Sequence, residues 1–379
     1  MRRTTVAPRA GWQAQVESLG LVWHSLDGRP YWDESACYVF TAADVAEIEA
    51  ASAELYRLYL EAGEHILAAG RLGELGVPRA AWDAVAAAWE AEPPALNFGR
   101  FDLGYSGDGP PKLFEFNCDT PTSLLEAAVI QWDWKQAVFP ALDQYNGLHD
   151  ALVAQWRAIA PLLGGSLVHF AHMADAAGED SVTVAYLRDT AEAAGLVTLP
   201  VEMAAIGWDH GAHRFVDGTD RVIETIFHLY PWEWLLAEDF APMLVESLGT
   251  TRWIEPIWKT LWSNKAILPI LWELFPGHPN LLEAGARPIG GDQVAKPLFG
   301  REGANVSIRW GEQVVAETDG EYYEQGWIYQ RFHPLRDFGA GYPVIGAWVV
   351  DGVPVGMGIR EDGLITGNAA RFVPHVIEG

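Results

Sequence analysis

Between residues 166 and 226 the chain alternates between two kinds of segment, and this alternation narrows the fold more than any other stretch. SLVHFAH, SVTVAYL, LVTLPVEM and RVIETIFHLY are short strand-like runs, and Ala-rich helical segments separate them. Strands and helices taking turns imply a parallel sheet, because a parallel crossover needs a dozen or more residues, usually a helix. We therefore expect a doubly wound α/β subdomain here. No G-x-G-x-x-G follows its first strand, which removes the main support for a dinucleotide cofactor.

Outside that stretch the pattern changes. Thr41 with Asp44 reads as a helix N-cap with an acidic partner. Val45, Ile48, Leu55, Leu58, Ala62 and Ile66 then recur at helical spacing, until Gly70 offers a stop. A second helix is expected over 78–91, beginning near Pro78. Residues 97–117 turn to strand character around YSGDGPP, and a helix should run from about Ser123 through LLEAAVIQWDWKQAVFP. From about residue 265, GGDQVAKPLFGREGANVSIRW, GWIYQRFHPL and PVIGAWVVDGVPVGMGIRE read as an antiparallel sheet punctuated by glycines.

With 379 residues, half of them hydrophobic, the chain can bury a large core. No apolar run reaches the roughly 18 residues of a spanning helix, so no membrane partner is expected. The N-terminal MRRTTVAPRAGWQ has two arginines and no apolar segment behind them. Cys37 and Cys118 give neither a disulfide framework nor a zinc pattern. These features predict a cytoplasmic protein. The 51 acidic against 25 basic residues leave a net charge of −26, which argues against a nucleic-acid partner. The same charge suits a cationic substrate, and it equally serves solubility.

Chemistry-bearing residues gather in the segments GRFDL and KLFEFN. A tight turn at Asp108-Gly109 would set Asp102 opposite Glu115 and Arg100 opposite Asn117, whereas Pro110 and Pro111 allow a longer loop. Within each strand, Arg100 shares a face with Asp102, and Glu115 with Asn117. Facing carboxylates repel unless something positive lies between them. Oxygen-only donors of this kind suit Mg²⁺, which takes one or two carboxylates with phosphate oxygens. Arg100 would then meet a phosphate. The other reading is an exposed polar strand face on which Arg100 pairs with Asp102.

Lys265 opens an apolar segment, and Lys296 sits in a strand that leads to a glycine loop. Both have few carboxylate neighbours in sequence and suit nucleotide phosphate. The loop from Gly300 to Gly303 can offer backbone N–H groups to phosphate, although GREG alone is also an ordinary turn and no Walker loop occurs. Arg371, in GNAARFVPH, is open to two readings, a surface salt bridge or a phosphate contact. Cys118 beside Asp119 is a poor nucleophile, and neither H-E-x-x-H nor G-x-S-x-G occurs.

Taken in order, RFDLGY…PKLFEFNCDTPTSLLEAAVIQW, NKAILPILWELFPGHPNLL, KPLFGREGANV and RFVPH resemble the ATP-grasp synthetase domain of the glutathionylspermidine synthase family. The similarity runs from about residue 31 to the C-terminus. Its central pattern, R-x-D followed by E-x-N-x-D-T-P-T-S, is long and specific. The chain looks closest to single-domain bacterial members, with no room for the amidase domain of the bifunctional synthases. The resemblance implies an α/β (α+β) chain with an ATP-grasp fold and a preceding doubly wound pre-ATP-grasp subdomain. The divisions expected from it are a helical part (1–95), a hairpin and α/β region (96–260) and a nucleotide-binding region with a lid loop (261–379).

The resemblance also implies ATP and Mg²⁺. Asp102, Glu115 and Asn117 match the family's magnesium ligands. Arg100 matches the arginine that steadies the transferred phosphoryl group, and Arg371 a second one. Lys265 and Lys296 match the ATP-phosphate lysines, Gly300, Arg301 and Gly303 fall in the flexible lid, and Gln330 falls near the adenine hinge. Thr120 and Thr122 stand where the synthases set hydroxyls against the acid substrate. The implied reaction is ADP-forming amide synthesis: the acid takes the γ-phosphoryl group to become an acyl phosphate, and an amine displaces phosphate.

One departure bears on the substrate. In LLEAAVIQW, where a cation for glutathione's glycine carboxylate would be sought, Glu126 stands instead. The acid is therefore expected to be glutathione or a related peptide or acid, joined to a polyamine or another amine. Glu224 and Glu233 lie in the aromatic surroundings of RVIETIFHLYPWEWLL, as a seat for substrate ammonium or as ordinary capping or surface carboxylates. Two other functions compete with a ligase. A nucleotide-binding regulator without turnover would not need all of Arg100, Asp102, Glu115, Asn117 and both lysines. A metal-dependent hydrolase using Asp102 and Glu115 would leave Lys265, Lys296 and the glycine loop without a role.

Overall fold

Four parallel strands, Val168–His172, Thr198–Glu202, Thr225–Leu229 and Arg252–Ile254, lie side by side in the spatial order second, first, third, fourth. Their residues alternate between two cores. Phe170, Phe227 and Ile254 pack with Val184 and Leu187 of the helix Glu179–Ala193, while Ala171, Ile226 and Trp253 pack with Leu235 and Leu244 from the opposite face. Helices thus cover both faces, as a doubly wound sheet requires. The computed structural model describes residues 1–378 apart from Asp27, Ser166, Ala176, Glu324, Gln325 and Ala369. The first residue of the expected strand SLVHFAH therefore lies outside the described residues.

One expected strand is a helix. SVTVAYL lies inside Glu179–Ala193, where Thr183, Val184, Leu187, Thr190 and Ala191 form the buried face. Their three- and four-residue spacing is helical, and the packing of that stripe overrides the β-branched composition. The long helix Ala42–Ala68 follows expectation: Thr41 and Asp44 form a reciprocal capping box, and all six predicted apolar positions are buried. The helix after Ser123 begins at Leu124, contains a π turn at Glu126–Ile130 and ends with Gln131–Val138.

The antiparallel sheet expected after residue 265 is two sheets. One runs Ala284–Gly285, Trp327–Arg331, Gln293–Pro297, Ser307–Trp310, Gln313–Glu317. The other runs Arg371–Phe372, Val353–Asp362, Tyr342–Val350, Gly99–Gly104, Lys112–Asn117, so the early hairpin supplies two of its strands. A third sheet sets Ala36–Thr41 between Arg2–Thr5 and the parallel strand His375–Glu378. Sheet pairing therefore crosses both expected divisions, at 95/96 and 260/261.

Candidate functional site

The hairpin has the register that a turn centred on Asp108-Gly109 suggests, although its strands are joined by the longer loop, residues 105–111, that Pro110 and Pro111 allow. Arg100 pairs with Asn117 and Asp102 with Glu115, and a bulge after Asp102 then shifts the pairing to Leu103 with Leu113. The bulge takes up the extra length that Pro110 and Pro111 bring to the loop. The polar face is not a solvated one: Arg100 is 5% and Asp102 3% exposed. It forms the floor of a cleft of about 240 Å³, which strands of both five-stranded sheets line.

Four cations meet two carboxylates on that floor. Arg100 donates from Nε to Asp102 (2.7 Å) and from a terminal nitrogen to the Thr122 carbonyl. Arg360 donates to the other Asp102 oxygen at 2.5 Å. Lys265, just ahead of the helix Ile267–Leu274, lies 3.0 Å from Glu115 and donates to the Gly300 carbonyl at 2.6 Å. Lys296 reaches Gln330 (2.8 Å) and the Phe114 carbonyl (3.2 Å). Burial pushes the Glu115 carboxyl up, but Lys265 and Lys296 outweigh it and hold the group well below the usual carboxylate range. Burial also lowers the Lys296 ammonium to about 8. The two unbalanced positive charges make the floor a place for a polyanion.

The second wall belongs to the parallel sheet. Glu233 follows the carboxyl end of Thr225–Leu229, next to the switch point of the sheet, where α/β proteins open their crevices. It pairs with Arg301 of the glycine loop at 2.7 Å, and Arg301 also donates to the Thr120 hydroxyl at 2.9 Å. Thr120 and Thr122 both line the cleft. Asp119 sits beside them, accepting the Trp232 N–H, and burial with the nearby Glu233 raises its carboxyl to about 7. Gly303 must be a glycine: its φ is +69°, and a Cβ there would lie 2.5 Å from the Thr366 carbonyl oxygen.

Two expected residues, Glu224 and Arg371, lie away from the cleft, and a third, Gln330, meets it through Lys296. Glu224 is exposed at the amino end of its strand, away from the cleft. Arg371 is absent from the cleft lining and instead pairs with buried Glu361 and Asp33. Gln330 reaches the cleft, but from mid-strand opposite Val294, with its amide committed to Lys296 and to the Leu113 carbonyl. The arginine that sequence reasoning missed is Arg360. No local signal marks it: the mid-strand glycine Gly346, which pairs with Asp102, makes room for Arg100, whose side chain a Cβ there would approach to 2.7 Å.

Asp102, Glu115 and Asn117 present only oxygen and amide donors, and Asn117 already spans the two carboxylates at 3.3 and 3.4 Å. Among the described residues no group of three or more His, Cys, Asp or Glu side chains forms a metal cage. Two carboxylates and an amide oxygen nevertheless fit a hard cation that completes its shell from phosphate.

A model of the family described as "Glutathionylspermidine synthase preATP-grasp" matches residues 3–378. The chain belongs to the glutathionylspermidine synthase family. Within that family it is similar to a Haemophilus influenzae protein named "Putative acid--amine ligase", 37% identical over 99% of both chains. A trypanothione synthetase of Crithidia fasciculata is 29% identical over 84% of this chain and 53% of its own length. The Escherichia coli bifunctional glutathionylspermidine synthetase/amidase is 26% identical over 86% and 56%. A glutathione synthetase-like effector from Globodera pallida superposes with a TM-score of 0.63 at 11% identity, covering 97% of this chain and 95% of that one. That likeness concerns the fold alone. No helix among the described residues is long and apolar enough to cross a membrane.

Proposed function

We propose that this chain is an ATP- and Mg²⁺-dependent carboxylate–amine ligase with an ATP-grasp nucleotide site. It joins glutathione or a related peptide or acid to a polyamine or another amine. The observation that carries the proposal is the buried floor on which Arg100, Arg360, Lys265 and Lys296 surround Asp102 and Glu115. Family membership supports it.

In this mechanism the acid's carboxylate attacks the terminal phosphorus, the bond to the bridging oxygen breaks and ADP leaves, while Arg100 and Arg360 neutralise charge on the transferring group. Lys265 and Lys296 hold the nucleotide phosphates, and the loop from Gly300 to Gly303 covers them. Asp102, Glu115 and Asn117 would hold magnesium, which would supply positive charge against the phosphates. Thr120 and Thr122 face the acid, and the amine enters past Glu233, loses a proton as it attacks the acyl carbon, and displaces phosphate from the acyl phosphate. Positioning the reactants accounts for much of the rate.

The test is phosphate release from ATP across a panel of acids, with and without polyamines. Stimulation that needs both an acid and an amine supports the ligase; nucleotide binding without stimulated turnover would sink it. Glu115→Gln should abolish turnover and leave the fold intact.

A further inference from the structure

Two carboxylates that line the second wall of the cleft each have one oxygen unused. Asp119 is 3% exposed; one of its oxygens accepts the Trp232 N–H at 2.8 Å, and Oδ1 has no partner among the described residues. Glu233 gives Oε1 to Arg301 at 2.7 Å, and its Oε2 is likewise buried without a partner. A buried acceptor without a donor is costly, the more so when it is charged. The two groups sense each other: burial, and after it the charge of Glu233, raise the Asp119 carboxyl to about 7.

A cation already fills that corner. The Arg301 guanidinium bonds Glu233 and the Thr120 hydroxyl (2.9 Å), and it lies over the Trp234 ring, 5.3 Å from the centroid. Its Nε is buried and unpartnered too. One donor and two acceptors are therefore unsatisfied side by side, although their charges attract. An alkylammonium, with three N–H donors on one atom, suits those two oxygens better than a flat fork does. Arg301 is part-exposed and sits on the glycine loop. An acid that meets Thr120 takes one of the two bonds holding it, and a carboxylate is a strong partner for a guanidinium.

We infer that Asp119 and Glu233 seat the ammonium of the incoming amine where Arg301 now lies, and that Asp119 takes the proton that frees the amine to attack. This rests on the ligase reading. The ammonium gives one proton to Asp119, and the nitrogen lone pair then bonds the acyl carbon. The carbon–oxygen bond to phosphate breaks, and the second proton leaves with the phosphate. The surroundings suit a base that works near neutrality. Burial and Glu233 raise the Asp119 carboxyl, Arg301 and Lys259 pull it down, and the neighbouring Cys118 thiol, itself pushed up by burial, stays uncharged.

Two measurements on the full chain test this. Calorimetric titration of 1,4-diaminobutane into the nucleotide-free protein should give binding about tenfold tighter in Arg301→Gln than in the parent. Adding Asp119→Asn to that variant should remove the gain. Diamine affinity unmoved by Arg301→Gln, or a gain that survives Asp119→Asn, overturns the seat. In the second measurement, each acid of the panel is supplied with ATP and either the diamine or hydroxylamine, which is uncharged at neutral pH and traps acyl phosphates as hydroxamates. Asp119→Asn keeps an oxygen for the Trp232 N–H. It should lose about 10²-fold or more of its turnover with the diamine, and far less of its hydroxamate formation. The rise of the diamine rate through about pH 7 should disappear with it. Equal losses with both nucleophiles, or none with either, overturn the base. A parent that makes no hydroxamate with any acid overturns the ligase reading and the proton transfer with it, and the diamine titration still decides on the seat.

Discussion

Replacing Arg360 and Arg371 by glutamine, one at a time, separates the two roles the structure gives these arginines. Arg360 meets Asp102 in the cleft and has few other partners to lose. Its removal takes one of four cations from the floor, and losing one donor aimed at developing charge costs about 10²–10³ in kcat, or roughly 3–4 kcal/mol. Stability should hardly move, because Asp102 keeps both of its contacts with Arg100. Arg371 is the opposite case. It donates to buried Glu361, to Asp33 and to the Ala340 carbonyl, linking three segments. Glu361 would keep Arg3 and the Tyr38 hydroxyl, and Asp33 would keep the Ser35 N–H, so the three bonds lost at this part-exposed arginine should cost about 2 kcal/mol together. For 379 residues, an unfolding entropy of about 2.1 cal/mol/K per residue gives roughly 0.8 kcal/mol/K, so Tm should fall by about 2–3 °C. Turnover is read by coupled ADP release and stability by thermal melting. If Arg371→Gln lost as much turnover as Arg360→Gln with an unchanged Tm, the placement argued from this cleft would be refuted.

Glu115→Gln should leave thermal stability near that of the parent and lose turnover, as above. Gly303→Ala should weaken nucleotide binding at least tenfold by calorimetry, because the new methyl meets the Thr366 backbone. Gly311→Ala, at φ +58° in open space, should cost about 1 kcal/mol of stability and leave affinity alone. Asp44 tests acid stability. Burial raises its carboxyl, but hydrogen bonds from Thr41, Tyr105 and the N-terminal ammonium outweigh that and hold it at about 2, against a usual 3.8. The stabilisation from a depressed carboxyl is complete above about pH 4 and lost as pH falls toward 2, so Asp44→Asn should be about 2 kcal/mol less stable at pH 7 with the gap closing by pH 2, read by urea titration.

The hairpin was legible in sequence because its information is local. A two-residue period sets Arg100 with Asp102 and Glu115 with Asn117, and the loop of residues 105–111 together with the bulge restores the register that faces Asp102 with Glu115. The long helix was legible for the same reason, through its cap and its stripe. Arg360 was not, since nothing near GIRED says that this strand lies two places from the hairpin; only the sheet order does. Arg371 stayed open between a salt bridge and a phosphate contact; the structure shows the salt bridge, with Glu361 and Asp33, which are 10 and 338 residues away in sequence. SVTVAYL is misleading because its β-branched composition masks a three- and four-residue spacing of buried positions. What the sequence withheld was pairing at long range, which propensity does not encode.

The three-stranded sheet that brings together both ends of the chain has a temporal cost. Ala36–Thr41 lies between Arg2–Thr5 and His375–Glu378, and its parallel partner is made last. At translation rates of about 5–20 residues per second, that edge waits roughly 20–70 s for its neighbour. Through that interval ACYVFT offers a bare apolar strand edge, the kind of surface on which nascent chains stick to one another. A chain halted before residue 375 never covers it, so ribosome-bound and prematurely terminated copies should be the aggregation-prone species, while the released protein is not.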